Sequence, residues 1–374
     1  MKFTVSSTTL FKHLQDISRV ISSKNSIPIL DCFLFELKGN TLVLTASDGE
    51  ITMTTSFELI SNEEDGRFAI NAKTMLDAIR MIPEQPMTFD VNMQSMDIVA
   101  NYQNGHYSII GQRADEYPQV QNLEKDAQKL TIEASLLQEG LERATFAAAD
   151  DPLRPVMNGV FFDVATDSLT MVASNGKTLV TDKFVTSKHK SATSFILPSK
   201  PSALLRNVLP HIEGKVEITF TKRNTLFEMD GYTLMGRLIE GRYPNYNSVI
   251  PENNPNKVTV DRASFINALK RIVIFAPKST GAIKVSINDN NIVIVANDAE
   301  FGTYAEENIS CEYEGTPMSI GFPGSSLLEV VNNLTGDMLV MELADPSRPA
   351  LFMPTEQPEN ENILMLLMPM MLNE

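Results

Sequence analysis

The four histidines, His13, His106, His189 and His211, are the side chains here best suited to hold a metal or move a proton, and they are scattered. No His-x-x-x-His pair and no Cys/His spacing of the zinc type occurs, so no metal site is expected. A serine nucleophile would need a GxSxG elbow or a histidine at suggestive spacing, and neither is found. Nucleotide phosphates would call for GxxxxGK(S/T) or a GxGxxG after a strand, and neither is present. Gly321-Phe322-Pro323-Gly324 has the composition of a phosphate cradle, but proline beside a helix start reads more simply as a tight strand-to-helix turn. Carboxylates come in runs, Asp150-Asp151, Glu306-Glu307 and Glu63-Glu64-Asp65, which suit solvated loops or strand edges. Nothing nominates an acid/base pair among them. The chain is expected not to be an enzyme and to use no cofactor.

Charge placement is more informative. The chain has a formal net charge of −16, which repels polyanions on average. Yet the six windows with helical periodicity, 7–24, 72–82, 135–147, 199–209, 261–273 and 323–334, together carry +5. The helices are the basic part of an acidic protein.

Those helices belong to a pattern written three times. From Arg154 to Leu179 the chain reads RPVMNGVFFDVATDSLTMVASNGKTL. Val160 to Val164 is a short apolar run, Asp167-Ser168 a turn, and Leu169, Met171 and Ala173 alternate as a strand does before the reversal at Ser174-Asn175-Gly176. Upstream, Leu42, Leu44 and Ala46 precede Ser47-Asp48-Gly49; downstream, Ile292, Ile294 and Ala296 precede Asn297-Asp298-Ala299. The three alanines are spaced 127 and 123 residues apart.

Each repeat opens with a strand and an amphipathic helix. Phe3 and Val5 lead to Leu10, Leu14, Ile17 and Ile21, with Ser6 or Ser7 as N-cap. A second strand-helix pair follows the hairpin, as at Phe68-Ala69-Ile70, Phe195-Ile196-Leu197 and Met318-Ser319-Ile320. Asp115-Glu116-Tyr117-Pro118 and Gly241-Arg242-Tyr243-Pro244 close the first two units, where proline stiffens a segment that cannot continue a sheet. The expected organisation is α+β, with three similar domains at 1–125, 126–253 and 254–374, each holding two strand-helix-strands half-units. Such domains on stiff links can curve into an arc. Two arcs closing head to tail would form a ring with basic helices lining its hole, touching phosphates without reading bases. No apolar run approaches the roughly 20 residues of a membrane span, and the start lacks a signal-peptide pattern. Cys32 and Cys311 lie in different repeats, so a reducing, cytoplasmic setting is expected.

MKFTV at the start, SIPIL at 26–30, NG at 158–159, SNGKTL at 174–179, GRYPNY at 241–246 and MPM at 368–370 occur together and in order. In that combination the chain resembles the beta-subunit family of bacterial DNA polymerase III, the sliding clamps, over essentially its whole length. The resemblance implies the DNA clamp fold, closed as a head-to-tail homodimeric ring around duplex DNA without sequence preference. It also implies that the replicative DNA polymerase, an ATP-driven clamp loader and other replication and repair proteins bind it, several through a short peptide motif.

Carried over position by position, the peptide pocket would be walled by Arg154, Met157, Ser174, Gly176, Lys177, Leu179, Pro244, Val249, Leu366, Met368, Pro369 and Met370. Methionines suit such a site because they adapt to varied apolar partners. Lys24, Lys73 and Lys200 match the family's DNA-facing positions, and the helix charge count adds Arg80, Arg206, Lys270 and Arg271. The dimer contact implied is His106 and Tyr107 against Ile274, Phe275, Glu306 and Glu307. The chain departs from the family pattern at Lys177-Thr178, where many members carry His-Arg, at Ser248, where some carry arginine, and in its MPMMLNE tail. Two rival readings are a monomeric peptide-binding scaffold that never encircles DNA and a hydrolase hidden among the acidic loops.

Overall fold

The computed structural model describes residues 1–25, 27–118, 123, 127–185 and 191–372. Ser26 of the SIPIL motif, the expected boundary between 125 and 126, His189, and Asn373 and Glu374 of the tail lie outside the described residues. Among the described residues six α-helices, α1 (Ser7–Ser18), α2 (Ala72–Ile79), α3 (Ala134–Thr145), α4 (Ser199–Val208), α5 (Arg262–Ile272) and α6 (Gly324–Asn332), alternate with strands in the expected order. Leu10, Leu14 and Ile17 bury one face of α1, and the Ser6 hydroxyl caps it by accepting from the Thr9 amide at 3.2 Å. Asn71 and Asp261 do the same for α2 and α5. The helices end sooner than the windows assumed: Arg19, Lys24 and Arg80 lie beyond the last helical residue. Part of the basic excess assigned to helices therefore sits in the loops that follow them.

The chain forms two compact units, residues 1–138 with 203–238, and residues 139–202 with 239–374. In the first, a five-stranded sheet runs from Ser61–Asn62 through Lys2–Ser6, Pro86–Val91 and Asp97–Tyr102 to Gly105–Ile110. Its nine-stranded sheet joins Ile51–Glu58 to Tyr232–Arg237, pairing Tyr232 with Thr55. In the second unit a twelve-stranded sheet joins Thr178–Val185 to Glu361–Leu367. Strands on the two sides of each expected domain boundary thus share one ladder. Hydrogen bonding does not stop where the sequence repeat does.

The turns differ between repeats. Gly49 and Gly176 take φ of 92° and 88°, the left-handed conformation that a tight reversal needs. The third repeat has Ala299 there, so the strand continues to Asp298 and the chain turns through Gly302, φ 64°. Gly321–Gly324 is the expected strand-to-helix turn: the strand Met318–Pro323 runs directly into α6.

One buried ionic cluster, on a residue type no motif singled out, ties α3 to the joined ladder of the second unit. Arg143 donates through Nη1 to Asp182 at 2.8 Å and to Glu361, and through Nη2 to Glu139 at 2.8 Å. Three carboxylates face one guanidinium, and Asp182 is fully buried with one oxygen, Oδ1, lacking a hydrogen-bond partner. Burial pushes the Asp182 carboxyl up to about 7, against the pull of Arg143. A carboxyl whose pKa rises on folding binds its proton more tightly in the folded chain, so its contribution is present at low pH and lost as pH climbs through 7. From about pH 4, where the unfolded carboxyl ionises, up to about pH 7 the chain is expected to lose stability progressively from this group. Thermal unfolding checks it. Asp182→Asn should show a flatter pH dependence than wild type, and equal slopes would remove Asp182 as the source.

Candidate functional site

The expected pocket residues all fall in the second unit, and the ladder between Thr178–Val185 and Glu361–Leu367 organises them. Leu179 stands opposite Leu366 in that ladder, and both are buried. Alternation along each strand sends these two to one face, where they join Val172, Ile196, Tyr243 and Leu351 in an apolar cluster. Met368, Tyr246, Ile250 and Val156 pack against it while remaining partly exposed. Phe161 stacks on Tyr243 with ring centroids 4.6 Å apart. The result is an apolar floor with side chains at its border that are only half covered.

A polar rim rises from the turn at 174–178. The Ser174 hydroxyl accepts from the Gly176 amide at 3.1 Å and donates to the Thr178 carbonyl at 2.8 Å. The Asn175 carboxamide oxygen accepts from the amides of Lys177 and Thr178, each at 2.9 Å. Arg154 reaches over this turn. Its Nε donates to Asp151 at 2.8 Å, and a Cβ on Gly176 would come within 2.8 Å of its Nη1. That hydrogen bond holds the Asp151 carboxyl below its ordinary range, fixing a cation at the rim. Of the departing pair Lys177-Thr178, only Lys177 is exposed; Thr178 is buried and paired with Leu367.

The tail after Leu367 forms the remaining side. The Met368 amide donates to the Lys177 carbonyl at 2.8 Å, and the Met370 amide to the Gly321 carbonyl at 2.8 Å. Pro369 lies between these anchors, so the tail is held across three residues by main-chain bonds at both ends. Leu179, Leu366 and Met368 are therefore together in one cluster, and Arg154, Ser174, Gly176 and Lys177 at one turn. Pro244 follows the cluster residue Tyr243 and is exposed, as is Val249 beside Ile250. Met157 is buried beneath the loop that carries Arg154. The floor residues Val172, Ile196, Tyr243 and Leu351 were not anticipated. Tyr243 had a signal, since it sits in the repeated Tyr-Pro join, where only Pro244 was singled out.

The expected DNA-facing cations are placed individually. Lys24 is exposed in the loop after α1, not on the helix. Lys73 is exposed on α2, and Arg80 just past its end, 3.9 Å from Asp77. On α4, Lys200 is exposed and Arg206 half-buried, its Nε lacking a hydrogen-bond partner among the described residues. Lys270 is exposed near the end of α5, while Arg271 makes a two-pronged ion pair with Glu307 at 2.5 and 2.8 Å. Arg271 and Glu307, expected on two different surfaces, are thus partners of one another.

The residues expected at a dimer contact lie on open strand edges or beside them. His106 and Tyr107 occupy Gly105–Ile110, the last strand of the five-stranded sheet, and Tyr107 packs on Tyr102 at 5.1 Å. In the second unit Glu306 and Glu307 lie on Thr303–Glu312. Among the described residues its 303–310 stretch pairs only with Asn291–Asp298. Ile274 and Phe275 follow α5 and are 77% and 39% exposed.

Models of the DNA polymerase III beta subunit N-terminal, central and C-terminal domains match residues 1–121, 131–245 and 247–371. The chain belongs to the DNA polymerase III beta subunit family. The beta sliding clamp of Vibrio cholerae serotype O1 is 26% identical over 373 residues, covering 100% of both chains. That of Pseudomonas putida is 26% identical over 375 residues, again with 100% of both covered. Among solved structures, the DnaN sliding clamp of Bartonella birtlesii bound to griselimycin is 25% identical, with a TM-score of 0.92 and 100% of both chains covered. The Bacillus subtilis sliding clamp, 23% identical over 100% of both chains, shares the fold with a TM-score of 0.91. The α+β organisation expected from the repeat and the clamp fold implied by the resemblance are those of this family, and the chain is a DNA sliding clamp.

Proposed function

We propose that two copies of this clamp close head to tail into a ring around duplex DNA and tether the replicative polymerase through the groove over Leu179, Leu366 and Met368. The observation that carries the tethering is the apolar floor with half-covered methionine and a fixed cation at its rim, a site shaped for an extended peptide. Griselimycin, which the Bartonella birtlesii clamp binds, is expected to occupy the same groove here. Arg154, Lys177 and Pro244 frame it, and Val249 borders it as an exposed apolar contact.

Ring closure would join the open edge at His106 and Tyr107 to the edge at Glu306 in the next copy, with Ile274 and Phe275 as apolar anchors. Lys24, Lys73, Arg80, Lys200, Arg206 and Lys270 would face the phosphates. Arg271 serves the interface instead, because Glu307 already neutralises it. Grip is topological rather than adhesive, which reconciles a charge of −16 with DNA. The chain acts without catalysis in the cytoplasm, an ATP-driven loader opening the ring and other replication and repair proteins sharing the groove.

Small-angle scattering with absolute mass tests the ring. A compact single chain has a radius of gyration of roughly 21 Å and a compact dimer about 27 Å. A dimeric mass with a radius well above the second value and a hollow distance distribution is expected. Clamp loaded onto nicked circular DNA should leave when the circle is cut. Equal retention on circles and linear DNA would overturn topological binding.

A further inference from the structure

The structure assigns to Gly321 the role of a positioning residue: its missing side chain lets the C-terminal tail dock and so sets the Met368–Met370 wall of the groove. The inference rests on the peptide-groove reading above.

The argument comes from comparing the three repeats at one place. The strand entering the second helix of each repeat reads Phe68-Ala69-Ile70, Phe195-Ile196-Leu197 and Ile320-Gly321-Phe322. In each repeat a later segment crosses back and bonds to the middle residue. Gln112 pairs opposite Ala69, the Ile239 amide donates to Ile196 at 3.0 Å, and the Met370 amide donates to Gly321 at 2.8 Å. In the first two repeats the middle side chain is buried in one cluster with the tyrosine of the join, Ala69 with Tyr117 and Ile196 with Tyr243. The third repeat has no such tyrosine. There the tail itself comes down on the strand. A Cβ on Gly321 would stand 2.5 Å from the Met370 carbonyl oxygen and 2.8 Å from Leu372 Cδ2.

Main-chain atoms cannot step aside as a flexible side chain can, so any larger residue at 321 must move the tail. Gly321 does not take a positive φ, so alanine fits the strand itself without strain. The three nearest atoms its Cβ would meet all belong to the tail. Because only Pro369 separates Met368 from Met370, releasing the Gly321 anchor frees the wall on one side while the Lys177 anchor remains.

Gly321→Ala in the full-length chain is compared with wild type for griselimycin affinity and for hydrogen exchange at the Met370 and Met368 amides. The expected result is a loss of affinity of about tenfold or more and lost protection at Met370, with dimeric mass unchanged. Unchanged affinity and protection, while removal of residues 368–374 abolishes binding, would overturn the role of Gly321 and leave the groove standing. Unchanged binding in both variants would overturn the groove and the inference with it. Should Gly321→Ala fail to fold, Met370→Pro, which removes the tail's amide donor to Gly321 and also fixes φ there, is measured against Met370→Ala, which keeps that donor. A further loss of about tenfold in the proline variant is expected, and equal affinities would overturn the proposal.

Discussion

Charging the apolar surface at the end of α5 is expected to split the assembly into single chains. Ile274 is 77% exposed and Phe275 39% exposed, side by side in the turn Val273–Phe275, a costly arrangement for a surface that stays wet. Burying each against a partner strand contributes about 1.5–3 kcal/mol. Replacing both by aspartate removes that gain and forces two carboxylates out of water at the proposed contact. The combined penalty corresponds to on the order of a thousandfold or more in each interface's dissociation constant. A head-to-tail ring closes through two such interfaces, so both weaken together. Ile274→Asp combined with Phe275→Asp should therefore give one-chain mass by light scattering at concentrations where wild type is dimeric. Its far-UV circular dichroism should match wild type, because neither side chain is in the core, while its thermal midpoint should fall by what dimerisation contributes and no longer depend on protein concentration. Persistence of the dimer would place the interface elsewhere.

The repeat explains why so much of the fold was legible. A strand-turn-strand pattern recurring near Ala46, Ala173 and Ala296 makes each copy a test of the other two, and burial of all three alanines follows from that alternation. Helix existence was legible for the same reason, but helix ends were not. The window 7–24 ran on because Ile21 continued the apolar period, whereas the helix stops at Ser18 and its cap is Arg19. Periodicity registers which residues are apolar and says little about where the last hydrogen bond falls. Ladder continuity across the boundaries was likewise invisible. Nothing in Tyr232 or Thr55 alone marks them as partners 177 positions apart in the chain.

The candidate site was legible at its edges and obscure at its floor. Gly176 announced a turn needing positive φ, and the methionines of the tail announced an adaptable apolar surface. Val172, Ile196 and Leu351 are ordinary strand residues whose neighbours are set only by the fold. The Arg143 cluster escaped because Asp182 and Glu361 look like surface carboxylates until the ladder between their strands buries them. Arg271 and Glu307 were read as belonging to separate surfaces because α5 and Thr303–Glu312 meet only in space.

Ending the chain at Leu367 is expected to abolish groove binding while leaving the fold and the dimer in place. The position of the cut decides what is learned. Leu366 and Leu367 are buried in Glu361–Leu367 and paired with Leu179 and Thr178, so removing them would damage the ladder as well as the groove. Residues 368–374 supply instead the Met368 side chain over the cluster and the anchors to Lys177 and Gly321. Loss of the half-covered Met368 contact and of the wall's shape together should weaken griselimycin by about a hundredfold or more, roughly 3 kcal/mol. Arg154, held by Asp151 and not by the tail, keeps its place, so the rim cation and the remaining floor would have to sustain any residual binding. A truncated chain that binds as wild type does would show that the Met368–Met370 wall takes no part in recognition. Loss of both binding and dimeric mass would show instead that the tail supports the third domain as a whole.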